Sequence, residues 1–107
     1  MVIAQYEIVL VNLDPTIGSE IKKTRPCVII SPNEMNKYLN SVVIAPMTSR
    51  TKNYPTRVPV KHDNKQGSIV LDQIRTIDKQ RIINNLDKLS ESEIRSLKKI
   101  LKETYVD

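Results

Sequence analysis

A chain of 107 residues with one cysteine, two glycines and neither phenylalanine nor tryptophan has room for a single core. It excludes a disulfide scaffold, a thiol metal cluster and a core built on large aromatic rings. The charge is segregated: from Lys22 to Lys65 nine Lys or Arg stand against two acids, Glu34 and Asp63, and the remainder is net −2 within a total of +5. A basic middle on a near-neutral frame points to a polyanion partner, most simply nucleic acid.

Ile and Val supply 24 residues, which favours strands over helices. Glu7 to Leu13 is expected to be a buried first strand, because Ile8, Val9, Leu10 and Val11 run continuously rather than alternate. Asp14, Pro15 and Thr16 stop it with turn chemistry. The loop that follows bends at Gly18 and carries Ser19, Glu20, Lys22, Lys23 and Thr24. Pro26 then fixes its own φ and pushes Arg25 toward an extended conformation at the mouth of the second strand, Cys27 to Ile30. Cations and hydroxyls on such a loop suit a phosphate-bearing ligand, and a solvated hairpin loop is the ordinary alternative.

Ser31, Pro32, Asn33 and Glu34 have the order of a capping box opening a short helical turn to about Tyr38. Ser41 to Ala45 is a third strand, expected to end at Pro46. Met47 to Asn53 is a second hydroxyl-rich basic loop, with Thr48, Ser49, Arg50 and Lys52. Thr56 to Val60 alternates around Pro59, which makes it an edge strand, and Lys61 to Gly67 is expected to be a polar turn. Ser68 to Leu71 opens a fifth strand leading through Asp72 and Arg75 to Ile77. A helical turn over Asp78 to Ile83 and a short strand or bend to Leu89 follow. Ser90 and Glu93 form a second capping box, and Ile94, Leu97, Ile100, Leu101 and Thr104 mark one face of a helix to about Tyr105. The order predicts one mainly β domain over residues 1–107, a compact barrel-like sheet with a helix packed on it. Met1 to Ala4 is too short and uncharged for a signal peptide and no run has membrane-spanning length, so the cytoplasm is the expected compartment.

Little of this carries chemistry by itself. His62 is the lone histidine, expected on the surface of a polar turn, so two imidazoles cannot share acid–base work within one chain. Cys27 sits in an apolar strand without a local base and is expected to pack in the core. No His/Cys cluster or close carboxylate set has metal-ligand spacing, and the Gly18 loop lacks the Gly-Lys-Ser/Thr end of a P-loop. Arg25, Thr48, Ser49, Asp72 and Arg75 remain, each where a strand meets a loop. They suggest a phosphate site without specifying a reaction, and Asp72 and Arg75 pairing to tie down a loop is the plain alternative.

The same residues carry a resemblance. Leu13-Asp14-Pro15-Thr16 with Gly18-Ser19-Glu20, then Thr24-Arg25-Pro26, then Ala45-Pro46-Met47-Thr48-Ser49, then Leu71-Asp72-Gln73-Ile74-Arg75-Thr76-Ile77-Asp78, resemble the MazF/PemK family of toxin endoribonucleases in order and spacing. The resemblance implies a small SH3-like barrel with short helical turns and a C-terminal helix. It implies a homodimer that cleaves single-stranded RNA, often mRNA, and is neutralised by a cognate antitoxin, with no cofactor. It makes Arg25 and Thr48 catalytic and Asp72 the candidate base. Ser19, Glu20 and Ser49 then line the site, and Lys22, Lys23, Arg50, Lys52, Arg57 and Arg75 are candidate RNA contacts. Three positions depart from the pattern: Val70 stands where some members have the arginine of an Arg-x-Asp pair, Ser19 where some have histidine, and Tyr6 where a glycine is usual. Two further functions compete: a non-catalytic toxin of the same fold that poisons a protein such as DNA gyrase through its C-terminal helix, and a passive RNA-binding barrel. Retention of Arg25 and Thr48 argues against the first.

Overall fold

The computed structural model describes residues 2–13, 24–50 and 54–106. Among the described residues there are seven strands: β1 Glu7–Asn12, β2 Thr24–Ile29, β3 Ser41–Thr48, β4 Arg57–His62, β5 Lys65–Val70, β6 Arg75–Asp78 and β7 Ile82–Lys88. Helix α1 covers Asn33–Tyr38 and α2 covers Glu91–Tyr105, and 3-10 turns at Leu71–Gln73 and Lys79–Arg81 flank β6. All pairings are antiparallel, in the order β4-β5-β3-β2-β1-β7, with β6 added to β3. The sheet curls until its two edge strands meet: Nδ1 of His62 on β4 stands 3.6 Å from Oδ2 of Asp87 on β7. This is the expected barrel-like β domain with a C-terminal helix.

Packing on both faces explains why β1 lacks alternation. Ile8 joins one core with Val28, Ala45, Met47, Ile69 and, from α2, Leu97, while Val9 and Val11 join a second core on the other face with Cys27, Ile29, Val42, Ile44 and Ile77. A strand with apolar packing on both faces needs a continuous apolar run. The α2 capping box forms as expected: Ser90 Oγ accepts from the Glu93 N–H, and Glu93 Oε1 accepts from the Ser90 N–H. Its inward face is Leu97, fully buried, with Ile94, Ile100 and Leu101 partly buried beside it.

Three local expectations are corrected. Ser31 does not cap α1: Pro32 is its N-cap, without a side-chain bond. Ser31 Oγ instead accepts from the Val43 N–H at 3.0 Å and bonds the Asn36 side chain, so the buried serine ties α1 to β3. Pro46 does not end β3, which runs through it to Thr48. Pro46 falls where β3 passes from pairing with β6 (Ile44 opposite Arg75) to pairing with β5 (Met47 opposite Ile69), so no partner on that edge needs its missing N–H. The turn over Lys61 to Gly67 shrinks to Asp63 and Asn64, with φ of 54° and 59°, and the ladder continues to His62 opposite Lys65. Two successive left-handed residues make a tight hairpin whose twist matches the strands. Tyr6 keeps, at φ 71°, the turn for which glycine is usual. Bonds from the Tyr6 N–H to Ile29 O (2.8 Å) and from the Leu89 N–H to Tyr6 O (3.0 Å) hold it there.

Candidate active site

Arg25 and Thr48 come from strands that do not pair at those positions but lie on either side of one cavity. Arg25 is on β2 opposite Val11, its side chain exposed, and Thr48 ends β3 opposite Ser68 of β5. Pairing of Cys27 with Pro46 locks β2 against β3 in between. The cavity, about 430 Å3, is lined by Arg25, Thr48, Arg50, Tyr54, Arg57, Val70 and Gln73. Three guanidiniums and the hydroxyls of Thr48 and Tyr54 around one space are able to hold an anion, because planar N–H forks match phosphate oxygens.

The supporting bonds set the donors. Thr48 Oγ1 accepts from the Arg50 N–H at 3.3 Å, which uses an oxygen lone pair and leaves the hydroxyl proton to donate. Ser68 Oγ donates to Arg50 O at 3.1 Å and pins the chain after Thr48. The Arg57 guanidinium carbon lies 4.8 Å from the centre of the Tyr54 ring, a cation–π contact that orients its plane. The Gly67 backbone presses against Thr48: a Cβ at Gly67 would stand 2.5 Å from the Thr48 carbonyl oxygen.

Asp72 follows β5 on the 3-10 turn and is outside the cavity wall. Its Oδ1 accepts from Thr56 Oγ1 at 2.9 Å and lies 4.0 Å from Arg57 Nε. Its partners are therefore Thr56 and Arg57 rather than Arg75, so the pairing of Asp72 with Arg75 does not occur. Arg57 lies opposite Val70 across the β4–β5 ladder. Residues opposite one another share a face, so Arg57 sets a guanidinium beside Asp72 on the face it shares with Val70. Tyr105 Oη donates to Leu71 O at 2.6 Å, so the end of α2 steadies this turn.

The remaining candidates divide. Ser49 lines a neighbouring cavity that also contains Arg25 and Thr48. Arg75 is exposed on β6, opposite Ile44. Ser19, Glu20, Lys22, Lys23 and Lys52 lie outside the described residues. Cys27 is buried in the core as expected, and burial pushes its thiol up to about 12, against a small opposing pull from Arg25 and Arg75. Among the described residues no three His, Cys, Asp or Glu gather as a metal ion would require. No helix among them is long and apolar enough to cross a membrane.

The sequence did not single out Tyr54, Gln73, Gly67 or His62 as parts of the site. Gly67 carried a signal, since glycine inside a strand marks a close backbone approach. His62 is a half-buried strand end facing Asp87, not a surface turn residue. Asp63-Asn64 read as a two-residue turn would have placed it there.

A curled antiparallel sheet with a C-terminal helix and an arginine-lined cavity at its edge defines a small β-barrel protein able to hold an anion. Over residues 4–105 the chain matches the PemK-like, MazF-like toxins of type II toxin–antitoxin systems, and it belongs to that family. Solved structures agree in fold. MazF in a MazE–MazF structure from Deinococcus radiodurans superposes with a TM-score of 0.82 at 25% identity, covering 97% of this chain and 96% of that one. Mycobacterium tuberculosis toxin MazF-mt6 gives 0.78 at 22% identity over 92% and 95%. An endoribonuclease in complex with its cognate antitoxin, from a mycobacterial species, gives 0.80 at 19% identity over 94% and 91%.

Proposed function

We propose that residues 1–107 form one toxin domain, a cytoplasmic, sequence-specific endoribonuclease that cuts single-stranded RNA, with mRNA as the first candidate, and is neutralised by an antitoxin. The observation that carries this is the shared cavity of Arg25, Thr48, Arg50 and Arg57, together with the family. Relatives described as endoribonucleases, and as complexes with antitoxins, support both halves. A homodimer is proposed from the family alone.

The chemistry follows from the groups at hand. The ribose 2′-OH already sits beside the scissile phosphate and serves as nucleophile, so no activated water is needed. Its oxygen bonds to phosphorus while the bond to the 5′-oxygen of the next nucleotide breaks and that oxygen takes a proton from water, leaving a 2′,3′-cyclic phosphate and a 5′-OH. The Arg25 guanidinium stabilises the charge that builds on the five-coordinate phosphorus. One such donor is typically worth about 3 kcal/mol. Arg25 acts as a fixed charge rather than a proton donor, because a guanidinium is not deprotonated in proteins. Thr48 donates its hydroxyl proton to a phosphate oxygen and orients it. Arg50 and Arg57 hold the remaining phosphate oxygens. Asp72 is the candidate to take the 2′-OH proton, acting from the cavity's rim through water because it is not in the wall.

The test is digestion of a long mRNA by the purified protein. Discrete fragments with cyclic phosphate and 5′-OH ends are expected, with cleavage persisting in EDTA. A single 2′-deoxy substitution before the cut should block cleavage and spare binding. Loss of activity in EDTA, or cutting of the deoxy substrate, would replace this mechanism with a hydrolytic one. Topoisomerase-linked DNA breaks in place of RNA fragments would establish the gyrase-poisoning alternative, and a mobility shift alone would leave a passive RNA binder.

A further inference from the structure

A second cavity, about 560 Å3, meets the arginine-lined one only at Arg25 and Thr48. Its size is within the roughly 300–1,000 Å3 of small-molecule sites. Its walls are of a different kind. Pro26, Met47, Val60 and Leu86 give it aliphatic surfaces, and His62, Asp63, Lys65 and Gln66 give it a polar edge. That edge mixes a carboxylate, an ammonium, an amide and an imidazole. A carboxylate beside a phosphate would be repelled, so Asp63 is out of place in a second phosphate cradle. An apolar pocket with donors and acceptors along one side suits an unstacked nucleobase, whose edge can be read by hydrogen bonds.

The backbone that carries these polar groups is fixed by strand pairing. Asp63 and Asn64 form the tight turn, the β4–β5 ladder runs to His62 opposite Lys65, and His62 Nδ1 faces Asp87 Oδ2 at 3.6 Å, beyond hydrogen-bond distance, across the closure of the curl. Reading groups on a strand ladder keep their spacing better than groups on a long loop.

We infer that this cavity takes the base of a nucleotide flanking the scissile phosphate, and that the β4–β5 hairpin reads the edge of that base through Asp63, Lys65 and Gln66. The inference rests on the ribonuclease function proposed above. With the phosphate held where the cavities join, the strand passes from arginines that neutralise its backbone to a slot that selects one base. It therefore assigns sequence preference to a hairpin separate from the catalytic pair.

The test is a thermodynamic cycle on the full-length protein. The probes are oligonucleotides carrying the cut motif, 2′-deoxy before the cut so that they bind intact, and abasic at either flanking position. The abasic change at one flank should weaken binding to the parent about tenfold or more, the size of a lost base contact. In Gln66→Ala and Lys65→Ala that loss should shrink to under about threefold, because the missing base and its missing partner are one interaction. The fragment ends from a mixed RNA digest should lose preference at the same position. Asp63→Asn, which keeps a residue tolerant of the left-handed turn, is the second variant should an alanine variant fold poorly. Additive losses at both flanks with unchanged fragment ends would overturn the inference while leaving the ribonuclease function intact. A parent protein that neither cuts nor binds RNA would overturn both.

Discussion

The Gly67 backbone lies so close to Thr48 that a Cβ there would stand 2.5 Å from the Thr48 carbonyl oxygen. No φ constraint is involved. The requirement is close approach of β5 to the end of β3, where Thr48 pairs with Ser68. Gly67→Ala should therefore push β5 away and displace Thr48, destabilising the fold by about 1–3 kcal/mol. Cleavage should fall further than stability explains. Thermal melting beside single-turnover cleavage would check this, and an alanine variant with unchanged melting and activity would refute it.

Arg25→Ala should abolish cleavage, by about 10²- to 10³-fold or more, with little change in melting, because Arg25 is exposed on its strand. Arg25→Lys should restore little, since an ammonium loses the bidentate fork. Thr48→Ala should cost heavily and Thr48→Ser should keep partial activity. A serine variant as inactive as alanine would assign Thr48 to packing of its methyl group instead of to its hydroxyl.

Asp72 and Thr56 make a separable prediction. Thr56→Val removes the bond to Asp72 Oδ1 and leaves the carboxylate. If Asp72 takes the 2′-OH proton, Asp72→Asn should lower the cleavage rate far more than Thr56→Val. Equal losses in the two variants would make Asp72 a positioning group for Arg57.

Salt should weaken RNA binding strongly. Each phosphate neutralised on a single strand contributes about −0.7 to the slope of log affinity against log salt. Substituting Arg50 or Arg57, which line the arginine cavity, with glutamine should each make that slope shallower by about one such unit. Filter binding across a salt series measures it, and a slope near zero in the parent would turn the basic middle toward another partner.

The Cys27 thiol gives a pH prediction. Burial raises it from 9.0 to about 12 in the folded protein, so the folded state favours the protonated thiol. Its contribution to stability is complete below the unfolded value of 9.0 and is lost as pH rises toward about 12, because the unfolded chain ionises first. Denaturant melts at pH 8 and above pH 10 should show that decline in the parent and less of it in Cys27→Val. Rapid labelling of native protein by a thiol reagent at pH 8 would contradict the burial.

The sequence alone determined the elements whose signals are local. The unbroken Ile8–Val11 run, the Ser90–Glu93 capping box and the 3.6-residue spacing of Ile94, Leu97 and Leu101 each follow from covalent neighbours. The Arg25, Thr48 and Asp72 blocks were likewise visible as a family pattern. Misjudged elements were those decided by what lies across the sheet. Pro46 stays in β3 because of a gap between β5 and β6, Ser31 abandons its cap for Val43 on β3, and His62 leaves the surface because the sheet edges close on Asp87. Only the tertiary structure put Arg57 opposite Val70 and beside Asp72, and joined two unlike cavities at Arg25 and Thr48. Strand register and sheet curl set those distances, and both depend on pairings between residues far apart in the chain, which local propensity does not encode.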